Sequence, residues 1–155
     1  MKKNKDEMNT TGYIEGYYGK LLSWDSRKLI VKSLRKNNMN TYFYAPKEDE
    51  NHRLNWRNKY NLKWRRCFRD FTKFGKANKI NVIAGIAPGL DFDFKNFNDQ
   101  MQKKENLDYT LLHNKAKQLL DDGATSIALL LDDIPDDFIN KFGNKMSEGT
   151  SHGIL

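Results

Sequence analysis

The sequence has one cysteine, Cys67, in 155 residues. A single thiol excludes an internal disulfide and a zinc site built on a cysteine cluster. No stretch approaches the roughly 18 apolar residues of a membrane span. The N-terminus, "MKKNKDEMNTTGY", is charged and lacks the apolar core of a secretory signal, which makes cytoplasm the default compartment. Histidine is scarce as well. His52, His113 and His152 show no ligand spacing, no P-loop is present, and neither a metal nor any other cofactor is expected.

Positive charge is in surplus. The 27 Lys and Arg outnumber the 20 Asp and Glu, a formal charge of +7. The excess is spread over the N-terminal segment, "SRKLIVKSLRKNN" and "KWRRCFRDFTKFGKANK". In the last two, basic residues fall between apolar ones at helical spacing, which reads as solvated helix faces. The competing reading is a nucleic-acid-binding face. It needs a coherent basic patch, which no motif supplies.

Residues 1–10 read as a flexible tail. Beyond them strands and helices alternate. "GYIEGYYG" (12–19) is a strand ending in a glycine-rich turn, and "SWDSRKLIVKSLRKNN" (23–38) is a helix with Leu29, Ile30, Ser33 and Leu34 on one side. "TYFYAP" (41–46) is a strand broken by Pro46. The polar connection 47–61 is long enough to suggest a function. A second helix (62–79) turns Trp64, Phe68, Phe71 and Phe74 inward, before the strand "INVIAGIAPG" (80–89). A third helix (107–123) has Leu112, Ala116, Leu119 and Leu120 on its buried stripe and Gly123 as its C-cap. "TSIALLL" (125–131) is the fourth strand. The order βαβαβαβ calls for a parallel α/β sheet with helical crossovers. The nearly continuous apolar strands suggest that both faces are covered.

In such folds working residues gather at the C-terminal ends of strands. Those ends carry Glu15 to Gly19, then Ala45 to Lys47, then Ala87 to Asp91, then Asp132 and Asp133. Together they suit a pocket for a polar ligand. Each also has a plainer reading. Gly16 and Gly19 suit a tight turn, and Lys47 suits an exposed loop. Either aspartate, just before Pro135, suits an N-cap for "PDDFINKFG".

The four strand ends resemble those of family 84 of the glycoside hydrolases, the O-GlcNAcases and bacterial β-N-acetylglucosaminidases. That family's first strand has the form G-x-x-E-G-F-Y-G, here "GYIEGYYG". Its second has the form N-T-Y-x-Y-A-P-K-D-D-x-x-H-R-x-x-W-R, here "NTYFYAPKEDENHRLNWR". Its third, I-S-P-G-x-D, is "IAPGLD", and its fourth ends D-D-I, as "LLLDDIP" does. The resemblance covers residues 11–155.

The resemblance implies a TIM (β/α)8 barrel, of which this sequence holds about four βα units. It implies a retaining, substrate-assisted hydrolysis of terminal β-linked N-acetylglucosamine through an oxazoline. Asp132 would orient the acetamido N–H, and Asp133 would be the general acid and then the general base. Gly16, through its carbonyl, and Lys47, through its ammonium, would hold the sugar, and Tyr18 would line the same pocket. The chemistry agrees with the residue types. Paired carboxylates resist double ionisation, so one stays protonated to donate while the other stabilises positive charge. With four strands of eight, the expectation is a truncated or split enzyme. Its open edges call for self-association or a complementary C-terminal half-barrel. A non-catalytic, sugar-binding remnant is the alternative.

Overall fold

The computed structural model describes residues 10–93 and 107–131. Strands β1 (Gly12–Glu15), β2 (Thr41–Tyr44), β3 (Asn81–Ile86) and β4 (Ser126–Leu129) alternate with helices α1 (Trp24–Lys36), α2 (Leu62–Ala77) and α3 (Leu107–Asp121). Residues 1–9 of the expected tail over 1–10, and the aspartates Asp132 and Asp133, lie outside the described residues. None of the described helices is long and apolar enough to cross a membrane.

All neighbouring strands pair in parallel, in the order β1-β2-β3-β4. Right-handed crossovers between sequential strands turn every helix to the same face. Accordingly α1 packs on α2, α2 on β3 and α3 on β4. Single winding of this kind is the pattern of consecutive barrel units, so the chain is a partial TIM barrel.

The helix ends follow from local chemistry. Ser23 caps α1 by accepting from the Ser26 amide at 3.1 Å, and Asn61 caps α2 by accepting from the Trp64 amide at 3.0 Å. Beyond α3 the chain turns through Gly123 at φ +99, a conformation that costs a glycine little.

One face of the sheet packs on the helices. Tyr42, Tyr44, Val82, Ala84 and Ile86 meet Val31 and Leu34 of α1, Phe68 and Phe71 of α2, and Leu119 of α3. The other face presents Ile14, Phe43 and Ile83 in one register row. The continuous apolar strands suggested two covered faces, yet Ile14 on this other face is 62% exposed. Single winding explains this, because it places the described helices on one side only.

Two helix faces differ from the apolar stripes. Leu34 is buried and Ile30 half-buried as expected, but Leu29 and Ser33 are exposed, and α1 also buries Arg27 and Val31. The reason is a buried ion pair. Arg27 grips Glu15 with two hydrogen bonds, at 2.9 and 2.7 Å, and the Tyr42 hydroxyl donates to the same carboxylate at 2.6 Å. The guanidinium also lies 4.6 Å from the Trp24 ring and 5.0 Å from the Tyr44 ring. On α3, Leu120 is exposed, while Asp108, Lys115 and Gln118 are buried, as is Asp122 just beyond the helix.

Those four polar residues form a ladder that receives the 47–61 connection and the start of α2. Asp108 accepts two hydrogen bonds from Arg57, at 2.7 and 2.6 Å. The Lys115 ammonium donates to the Asn58 carbonyl and lies 3.8 Å from the centre of the Tyr60 ring. Gln118 exchanges hydrogen bonds with the Tyr60 backbone, accepting at 2.8 Å and donating at 3.2 Å. Asp122 accepts from Arg65 at 2.6 and 2.9 Å and from Arg69 at 2.9 Å. Hydrogen bonding from Arg57 lowers the Asp108 pKa, against the opposing effect of burial and helped by the Asp93 amide. Burial lowers Lys115 to about 8, against the attraction of Asp49.

Two outcomes follow from the buried charges. Arg27→Met leaves the Glu15 carboxylate buried without its cation and costs about 3–5 kcal/mol. The double variant Glu15→Gln/Arg27→Met regains much of that loss, as urea unfolding of the single and double variants will show. Lys115 gives a second outcome. Its folded pKa lies below the unfolded value, so between about pH 8 and 10 the unfolded chain binds more protons and stability rises with pH. Above about pH 10 the trend reverses, because burial holds the Tyr42, Tyr44 and Tyr60 hydroxyls above their ordinary value and the unfolded chain ionises first. Lys115→Met removes the rise and keeps the fall in a pH series of denaturation curves.

Candidate active site

The C-terminal ends of β1, β2 and β4 border an open hollow of about 380 Å³. Gly16, Lys47, Ala45 and Phe43 line it, together with Leu130 and Leu131. The structure thus brings two of the expected sugar-binding residues, Gly16 and Lys47, to one hollow with the end of the fourth strand. Tyr18 stands apart from that lining. It is 64% exposed, and its ring centre lies 6.0 Å from the Arg53 guanidinium carbon. Asp132 and Asp133 follow Leu131 directly in sequence.

The two glycines of "GYIEGYYG" prove different. Gly19 has φ +119, so the tight turn does need a glycine there. Gly16 has no such backbone angle, and among the described residues a Cβ at that position would meet only the Ile14 side chain, at 3.2 Å. The plain turn reading therefore accounts for Gly19 and not for Gly16.

Lys47 is half-buried at the start of the long connection. Asp49, two residues on, closes that connection on itself. Its Oδ2 accepts from the Tyr44 hydroxyl at 2.6 Å and from the Tyr60 hydroxyl at 2.9 Å, while its Oδ1 accepts from the Asn51 amide at 3.0 Å. Tyr44 ends β2 and Tyr60 precedes α2, so one carboxylate ties both ends of the loop. Burial raises both tyrosine pKa values and keeps the hydroxyls protonated as donors.

His52 joins the same loop to β3. Its Nδ1 lies 2.9 Å from the Gly85 carbonyl, which can only accept, so the proton sits on Nδ1. The Ala87 amide returns a hydrogen bond to the His52 carbonyl at 2.9 Å. Further along, the Trp56 indole donates to Asp91 at 2.8 Å, and Arg57 bridges Asp91 and Asp108. Lys47 is thereby held on a loop anchored to β3, to the loop after β3 and to α3.

Sequence reasoning named neither Asp49 nor Arg57. Both lie inside "KEDENHRLNWR", but their partners are spread from Tyr44 to Asp108. The signal available was a tryptophan and alternating charges in a connection too long to be a simple turn.

The chain matches known proteins over most of its length. The model of the family described as beta-N-acetylglucosaminidase matches residues 11–153. The Protein O-GlcNAcases of Rattus norvegicus and Mus musculus are each 35% identical over 123 residues, covering 79% of this chain and 12% of theirs. Among solved structures, CpGH84B superposes with a TM-score of 0.73 at 30% identity, covering 95% of this chain and 26% of that one. A mutant of the Thermobaculum terrenum O-GlcNAc hydrolase superposes with a TM-score of 0.71 at 28% identity, covering 85% of this chain and 28% of that one. The chain thus spans an eighth to just over a quarter of the length of these relatives. It belongs to the β-N-acetylglucosaminidases, family 84 of the glycoside hydrolases.

Proposed function

We propose that residues 11–155 form the N-terminal half of a β-N-acetylglucosaminidase barrel and supply one wall of its sugar pocket. The reaction is retaining, substrate-assisted hydrolysis of a terminal β-linked N-acetylglucosamine on a glycan or glycoprotein. The observation that carries this reading is the shared hollow of Gly16, Lys47 and Leu131, the residue before the paired aspartates.

Each residue then has a task its chemistry suits. Asp133, protonated, gives its proton to the leaving oxygen and later takes one from the incoming water. Asp132, ionised, accepts from the acetamido N–H and stabilises the positive charge that grows as the acetamido oxygen attacks the anomeric carbon. Adjacent carboxylates favour this division, since the charge on one opposes ionisation of the other. The Lys47 ammonium and the Gly16 carbonyl hold sugar hydroxyls, and Tyr18 contacts the ligand from the outer edge. The scheme calls for no metal or other cofactor. A cytoplasmic setting would keep the Cys67 thiol reduced.

The exposed Ile14 supports a partner across the open side of the sheet, either a complementary C-terminal half-barrel or a second copy. An assay tests the whole reading. The purified chain is given a chromogenic β-N-acetylglucosaminide, alone and mixed with the C-terminal half of a family member. Turnover is expected on mixing, and Asp133→Asn lowers it by about two to four orders of magnitude, the usual worth of a general acid. Binding of an oxazoline mimic without turnover in any mixture would instead establish a sugar-binding fragment.

A further inference from the structure

The opposite end of the sheet carries a second concavity. A groove of about 590 Å³ opens at the N-terminal ends of β2, β3 and β4. Lys73, Lys76 and Lys79 line it, with Thr72, Asn81 and Thr125 between them, and among the described residues no aspartate or glutamate contributes to its walls. Among the described residues, none of these three lysines has an ion-pair partner. The nearby Asp122 is already engaged by Arg65 and Arg69.

Cations are favoured near the C-terminal end of a helix, and that explains a lysine at 76. It does not explain the backbone at 79. Helices α1 and α2 end in the same way. The Asn37 and Asn78 side chains each donate 2.8 Å to a carbonyl four residues back, Ser33 and Phe74 respectively. The Met39 and Ile80 amides then close the turn on Leu34 at 3.0 Å and Gly75 at 2.9 Å. In both caps the next-to-last residue is left-handed, Asn38 at φ 57 and Lys79 at φ 58. Glycine and asparagine adopt that conformation readily, and a lysine does so at a cost. The α1 cap has the favoured residue. The α2 cap has instead the residue that brings a third ammonium to the groove.

We propose that this groove binds a multiply charged anion of the phosphate type, such as an oligophosphate. Lysines are mobile point charges without a planar fork, which suits a tetrahedral anion with several equivalent oxygens. Lys73 and Lys76 lie three residues apart on one side of α2, and the turn after the helix adds Lys79 to the same groove. The site is separate from the sugar pocket, roughly 20 Å away along β3.

Titration calorimetry of the full chain with sodium pyrophosphate tests the proposal, with sodium sulfate and sodium chloride at matched ionic strength as controls. Saturable binding of one pyrophosphate, tighter than sulfate, is expected. Lys73→Gln/Lys76→Gln/Lys79→Gln weakens it by at least about tenfold. Lys79→Gly alone weakens binding while raising the melting temperature, a combination that a purely structural lysine does not produce. The proposal is overturned if pyrophosphate gives no more heat than chloride at equal ionic strength, or if the triple variant binds as the parent does. It is equally overturned if a single-stranded oligonucleotide saturates the chain and pyrophosphate does not, since the lysines would then belong to a nucleic-acid surface.

Discussion

The polar ladder along α3 is the interaction on which the site end of this structure depends. Asp108, Lys115, Gln118 and Asp122 each hold a different part of the segment from Arg57 to Arg69. A buried carboxylate or ammonium is expensive unless paired, and pairing fixes its partner in place. The ladder therefore turns a long polar connection into a rigid element. Asp49 and His52 extend that rigidity to the loop's other end, beside Lys47. A loop of this composition without such anchors would be free to move, and Lys47 would have no defined position relative to Gly16.

The Glu15–Arg27 pair plays the corresponding part for β1. This strand is short and sits at one edge of the described sheet, where β2 is its neighbour among the described strands. Arg27 reaches from α1 to the carboxylate one residue before Gly16, and Tyr42 reaches it from β2. The aromatic rings of Trp24 and Tyr44 flank the guanidinium. The end of β1 is thus held by charge and hydrogen bonds, where the middle of the sheet is held by apolar packing.

The two faces and the two ends of the sheet then have different characters. The helix face is dense and aromatic. The inner face is apolar and open, as the interior wall of a barrel is before the remaining strands meet it. The C-terminal end carries the hollow lined by Gly16 and Lys47, and the N-terminal end carries lysines at the foot of α2. Nearly all of this asymmetry follows from winding the chain in one direction, which puts every helix C-terminus at one end and every strand C-terminus at the other.

Much of this was legible in the sequence. The element order, the parallel sheet and the strand-end motifs rest on local patterns, such as apolar periodicity and glycine or proline punctuation, which a chain displays without its partners. Family membership was legible for the same reason, since the motif residues sit in short contiguous runs. The buried helix faces were not. Leu29 and Leu120 look like core residues and are exposed, while Arg27 and Lys115 look like surface residues and are buried. Their burial is decided by Glu15 and by the Asn58 carbonyl, at separations of 12 and 57 residues, and periodicity carries no information about such partners. By itself the sequence determined which residues stand at the strand ends. Only the tertiary structure decided that Gly16, Lys47 and Leu131 share one hollow and that Tyr18 stands outside it, because that depends on charge pairs closed across the fold.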